Sequence, residues 1–415
     1  MSKITQKGAY LKAAGAIFIT ISFVIFSEAA FRAALQGLNT WWEVVFPALL
    51  PFFIMSEILM GLGAVNFLGA LLEPLMRPLF KLPGVGAFAF AMGLAAGYPI
   101  GAKITGDLRR QRLCTQVEGE RLVAFCNTAD PLFLIGAVAV GMFGQPELGV
   151  TIAMAHYIAC ILVGFALRFY QPKTNNQDVK KRARSEKGII KYSLAELYRA
   201  RKEDARPLSQ LLGDAVIESV NTLLLIGGFI VLFSVITEVL HLIGFTSIVT
   251  VVLLPIIEPL NLDQSLILPI ISGIMEITNG ANLASQSTAP LAQQLSIASG
   301  IIAWSGLSVH AQVASMIQDT DIRMKPYFIA RFLHAVLAAL TTVFLFKPIK
   351  GISTPDALPV FVDHSYQLSN LHLGISYLER LSFLSISLMT LLSSLAIISL
   401  LIYLIHKIKI VMIKL

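Results

Sequence analysis

The sequence predicts an all-α protein that crosses a membrane several times, and three observations carry that prediction. Hydrophobic residues make up 56% of the 415 residues and charged ones 14%, with a mean hydropathy of +0.74, a composition that a water-soluble fold does not need. Apolar runs near or above the roughly 20 residues required to span a bilayer lie at about 13–27, 44–62, 117–143, 148–170, 215–240, 292–317, 327–346 and 381–405, and two more, 84–104 and 265–283, are interrupted. The basic residues collect between these runs: eleven Lys/Arg against six Asp/Glu in the linker 171–214, Arg109, Arg110 and Arg112 in the loop 106–116, and Lys407, Lys409 and Lys414 at the end of the chain. That bias places the N-terminus, these loops and the C-terminus in the cytosol.

Lys3, Lys7 and Lys12 precede the first apolar run and no small-residue cleavage pattern follows it, so residues 1–43 are expected to be an uncleaved helix and an outer loop. Residues 44–170 and 215–346 then share a pattern, separated by the basic linker. Glu73-Pro74-Leu75 matches Glu258-Pro259-Leu260 at an offset of 185 (258 − 73). GLAAGYPIGA at 93–102 matches SGIMEITNGA at 272–281, and AFC at 124–126 matches AWS at 303–305, both at an offset of 179 (281 − 102 and 303 − 124). The charged loops give the two units opposite orientations, the signature of an alternating-access transporter. Residues 347–415 are expected to form an outer loop and a last span.

The interrupted segments are too short to cross. At 1.5 Å per residue, 84–99 makes about 24 Å of helix, less than an apolar layer of about 30 Å. A re-entrant hairpin over 84–113 follows, with Gly97, Tyr98, Pro99 and Gly101 at its tip. Pro99 disfavours helix before it, and the glycines permit a tight turn. Free amides at 101–103, with Lys103 beside them, would face an anionic group. The second hairpin, 265–289, carries Glu276, Asn279 and Asn282 around Gly280. Glu276 is a carboxylate in the membrane and so a candidate ligand for substrate or coupling ion; the asparagines either cap the second limb or bond a ligand.

Each hairpin is followed by a span with a polar break. In the first, Asn127 and Thr128 precede Asp130, an N-cap, and Pro131, a first helical residue. In the second, Ser305 and Ser308 lead to His310. Four breaks are expected to meet around one solute, with Asp130 and Glu276 as ion-coupling candidates. Glu57, His156, Arg331 and His334 are expected to pair with one another or to snorkel, Arg331 being six residues from Lys325.

Cys114, Cys126 and Cys160 form no CxxC pair and are odd in number, which argues against a disulfide framework or a thiolate metal site. No HExxH, GxSxG or GxxxxGK[ST] motif occurs, so no enzyme activity, metal or cofactor is expected. The net charge of +7 belongs to membrane-flanking loops and does not point to nucleic acid. The expected partners are the bilayer and a small-molecule substrate; a homo-oligomer is compatible with the sequence.

At FPALLPFFIMSEIL (46–59), GLAAGYPIGAK (93–103) and FCNTADPLFLIG (125–136) the chain resembles the YlbJ family of sporulation integral membrane proteins, also called SpoVV, which carry nucleoside-recognition Gate domains. The likeness runs from about residue 41 to 346. It implies a frame similar to the core of concentrative nucleoside transporters, and a role in endospore formation: moving dipicolinic acid from the mother cell across the outer forespore membrane. A nucleoside or other small-metabolite carrier, and a non-transporting scaffold for spore envelope assembly, are the alternatives.

Overall fold

The computed structural model describes residues 6–171 and 188–350. The span expected at 381–405, the basic end of the chain and most of the outer loop before that span lie outside the described residues. Among the described residues every regular element is helical. Five helices among the described residues are long and apolar enough to cross a membrane: Ser27–Gly61, Leu148–Leu167, Leu208–Leu242, Leu291–Ile317 and Met324–Phe346. The protein is an all-α polytopic membrane protein.

Helix α1 (Gln6–Ile25) is followed after one residue by α2 (Ser27–Asn39), which continues through a π-helical turn, Thr40–Val45, into α3 (Phe46–Gly61). The outer loop expected before residue 44 is therefore helix. Glu28 and Arg32 pair one turn apart at 2.6 Å on its exposed face, while Ala30 and Ala33 pack against Val235 and Val239. The partner is α10 (Leu208–Leu242), which begins inside the expected linker. That linker also holds α9 (Ile189–Asp204), whose Leu197 and Ala200 lie against Gly63.

A short helix follows α3 and another follows α10. Gly63, left-handed at φ +81°, opens α4 (Ala64–Leu75), and Gly244, at φ +79°, opens α11 (Phe245–Ile257). The two glycines are 181 residues apart (244 − 63), as are Pro74 and Pro255 (255 − 74) inside these helices. This register differs from the offset of 185 read from the Glu-Pro-Leu motifs. The hairpins come next: α5 (Gly86–Ala96) with α6 (Ile100–Arg110), and α12 (Ile267–Met275) with α13 (Ile277–Ser285). Limbs of 11 and 9 residues measure about 16 and 13 Å and cannot span.

The broken spans complete each set. Helix α7 (Gln116–Cys126) stops before Asn127 and resumes at Pro131, running on as the π-helical segment Phe133–Met142. Helix α14 (Leu291–Trp304) is separated from α15 (Gly306–Ile317) by Ser305 alone. The unbroken α8 (Leu148–Leu167) and α16 (Met324–Lys350) follow.

Hydrogen bonds tie the base of each hairpin to a different end of the stretch 291–317. Arg109, at the end of α6, forks onto Asp321 beyond α15 at 2.7 and 2.8 Å, and Gln116 donates to the Asp321 carbonyl. Arg323 bonds Glu120, 2.6 Å away, and Arg121 reaches the carbonyls of Tyr170 and Lys81. The Arg109 guanidinium holds the Asp321 carboxyl below the usual carboxylate range. The base of the first hairpin thus sits with the far end of α15. The base of the second sits with the start of α14: Gln293 accepts from the Asp263 amide at 2.8 Å and Gln294 donates to the Ser287 carbonyl at 2.6 Å. Between these ends runs Leu291–Ile317, 27 residues or about 40 Å of chain.

Candidate functional site

Every interruption of a helix in an apolar layer frees carbonyls and amides that need partners, and here side chains from other segments supply them. At the end of α5, Ser56 donates to the Ala95 carbonyl at 2.7 Å. At the end of α12, the Trp304 indole donates to Ile274 at 3.1 Å. The Tyr98 hydroxyl, on the first tip, donates to Ile302 near the end of α14 at 3.1 Å. At the end of α7, Arg331 gives one Nη to the Ala124 carbonyl at 2.8 Å and the other to Asn127 at 3.0 Å.

Two carboxylates serve the helix starts. Asp130 Oδ1 accepts from the Leu132 and Phe133 amides, both at 2.9 Å, so it caps the helix that Pro131 opens, the role its position predicts. Glu276 accepts from the Asn279 amide at 2.8 Å and caps α13 in the same manner. In the first hairpin the amides of Ile100, Ala102 and Lys103 turn inward onto the carbonyls of Gly97 and Pro99, so the free donors expected at 101–103 are reduced by local bonds. Gly97 takes φ +66°, a conformation glycine adopts without strain. A Cβ on Gly93 or Gly101 would overlap the Cys126 carbonyl. The first tip is therefore seated directly on the first break, and Gly306 in the second break lies against the backbone of Glu276.

The halves meet through α16. Tyr327, Arg331 and His334 stand at i, i+4 and i+7, one face of a helix, and all three are wholly buried. Asn127 Nδ2 donates to the Tyr327 oxygen at 2.9 Å, and Tyr327 bonds Ser305 Oγ at 3.3 Å, joining the two broken spans. Arg331 also approaches the Tyr98 hydroxyl at 3.4 Å. Thr128 pairs with His156 Nε2 at 2.7 Å, and the Ala129 amide donates to the same nitrogen at 3.3 Å. His334 Nε2 donates to the His156 carbonyl at 2.9 Å. Some polar atoms in this cluster have no protein partner: Asn127 Oδ1, Arg331 Nε, His156 Nδ1, His334 Nδ1 and, beside Tyr327, His310 Nε2.

Of the residues expected at the site, Gly97, Tyr98, Gly101, Asn127, Thr128, Asp130 and Ser305 fall in this cluster or its immediate backbone contacts. Glu276 caps the second tip, beside Gly306. Asn279 turns its side chain to Ile230 and Ser234 of α10. Asn282 lies a turn further along α13, its Oδ1 accepting from Gln286, and Ser308 is buried in α15. Lys103 has an exposed side chain whose electrostatic neighbour is Glu57 on α3. The larger correction is Arg331: expected either to pair with Glu57, His156 or His334 or to snorkel, it is 0% exposed and bonds the carbonyls at the first break. Its signal was present in the sequence, because Tyr327, Arg331 and His334 share the spacing of one helical face and an ionisable group within a span points to function.

Paired helical hairpins, each seated on a broken helix inside an all-α bundle, belong to an all-α polytopic membrane protein. A family model described as "Gate: Nucleoside recognition" matches residues 42–186. The chain is 46% identical over 333 residues to the sporulation integral membrane protein YlbJ of Bacillus subtilis (strain 168), covering 80% of this chain and 81% of that protein. It is 28% identical over 161 residues to an uncharacterised protein of Alkalihalophilus pseudofirmus, covering 37% of this chain and 34% of that one. No solved structure matches the chain. The chain belongs to the YlbJ family of sporulation integral membrane proteins and is a sporulation-associated membrane protein.

Proposed function

We propose that the protein is a carrier that moves dipicolinic acid across the outer forespore membrane by alternating access, its two halves acting as inverted repeats. The observation that supports this most is the joining of broken segments from both halves at one buried polar cluster, Asn127–Tyr327–Ser305, with the Tyr98 tip and Arg331 against it. Alternating access needs a site made by both halves, so that rocking one against the other changes its exposure. The bases of the two hairpins at opposite ends of Leu291–Ile317 fit halves of opposed orientation. Dipicolinate is a small planar dianion, and its cluster would offer a guanidinium, hydroxyls and aromatic rings.

A nucleoside carrier is the second reading, favoured by the description of the matching family model. Uptake of labelled dipicolinate into proteoliposomes holding the full chain, with unlabelled dipicolinate and uridine as competitors, separates the two. Saturable uptake blocked by dipicolinate and not by uridine is expected. The reverse order selects the nucleoside reading, and no uptake of either rejects both cargoes.

A further inference from the structure

We propose that Arg331 is the charge by which this carrier selects an anion; the proposal rests on the carrier reading and names the residue that gives it specificity. Three Asp, Glu or Arg side chains stand at the joined breaks, and their bonds divide them. Asp130 Oδ1 and Glu276 Oε2 accept from amides at helix starts, where the helix dipole favours negative charge. The guanidinium is different. Among the described residues it makes no ion pair, its Nη groups meet neutral carbonyls, and its Nε–H has no partner although the side chain is 0% exposed.

A buried cation without a carboxylate is costly, and the end of α7, with its partial negative charge, offsets part of that cost. What remains is a positive site with an unused donor, reached from the first tip by Tyr98. The tautomers beside it add a second donor. Because His156 Nε2 accepts the Ala129 amide, the neutral ring carries its proton on Nδ1, and that atom is also unpartnered. An oxygen of an anionic ligand would take the Arg331 Nε–H, while the Tyr98 hydroxyl, on Nη1 at 3.4 Å, is the longest hydrogen bond the guanidinium makes and the one a second ligand group would displace. Lys103, exposed and near Glu57, has no such position.

If Arg331 served only to cap α7, its replacement would lower stability and leave ligand preference untouched. The test is equilibrium binding of labelled dipicolinate to the purified full chain, displaced by dipicolinate, by its neutral diamide and by uridine, with melting temperature followed in parallel. The wild-type chain is expected to prefer the dianion to the diamide by at least tenfold. Arg331→Gln is expected to weaken dipicolinate binding tenfold or more and to equalise the two. Arg331→Lys, which keeps the charge without the planar fork, is expected to bind at least threefold more weakly with the preference retained; it carries the test if the glutamine variant does not fold. Unchanged affinity in Arg331→Lys or in a folded Arg331→Gln overturns the proposal, as does a wild-type chain that takes the diamide or uridine equally well, or binds none of the three. Proteoliposome uptake keeps the two readings apart: binding that depends on Arg331 without any uptake rejects the carrier and leaves the anion site standing, whereas uptake that survives Arg331→Gln rejects the anion site alone.

Discussion

At the scale of single residues, the site is built by groups that satisfy the polar backbone exposed at helix breaks. Asp130 was legible because a carboxylate directly before a proline in an apolar span has a local reason to be there: it caps, and the bonds to Leu132 and Phe133 are local. Arg331 was not legible in the same way, because its partners lie more than 200 positions earlier in the chain and its nearness to Lys325 suggested an interfacial position. Tyr327 gives the sharpest test of the buried network. Tyr327→Phe keeps the ring and removes the hydroxyl that serves both Asn127 and Ser305. Stranding buried partners costs about 1–3 kcal/mol. A melting experiment on the purified chain should show the loss, and an unchanged melting temperature would mean that the two broken spans are not held through this hydroxyl.

At the scale of elements, both helical hairpins and both helix breaks could be read from the sequence, since short limbs, a Gly and Pro tip in the first hairpin and a carboxylate at the second tip are local properties. Long-helix boundaries could not. Residues 28–43 look like a polar loop until α10 is in place to cover Ala30, Ala33 and Gly37, and Trp41 turns its indole inward to the Leu223 carbonyl at 2.8 Å. The expected linker conceals α9 and the start of α10 for a similar reason: its charges mark the surface of a helix as readily as they mark a loop. The seating of the first hairpin separates glycines that contact demands from those it does not. Gly93→Ala would drive a Cβ into the Cys126 carbonyl, a backbone atom with little freedom to yield, at or above the upper end of the roughly 1–3 kcal/mol typical of overpacking. Gly228→Ala on α10 has nothing within 4 Å of the new methyl and should be neutral or stabilising by up to about 1 kcal/mol. Comparing folded yield and melting of the two variants checks the hairpin's seat, and equal behaviour would contradict it.

At the scale of the whole molecule, orientation decides whether the parts make a carrier. Charge bias in the sequence points to opposed halves, and the contacts offer an independent geometric argument: the first hairpin's base is tied to Asp321 and the second's to Gln293 and Gln294, at the two ends of one 27-residue span. Gln111, just past α6, and Thr288, just past α13, are both exposed, whereas Cys114, Cys126 and Cys160 are buried. Single cysteines at Gln111 and Thr288 can therefore be labelled over a low background in sealed vesicles of known sidedness. A membrane-impermeant maleimide should reach Gln111→Cys from one side only and Thr288→Cys from the other. With opposed access, rocking one half against the other can expose the Asn127–Tyr327–Ser305 junction to each side in turn. Labelling of both positions from the same side would leave the hairpins entering together, with no second face for a solute to leave by, and alternating access would have to be abandoned even though every local bond around Arg331 remained as described.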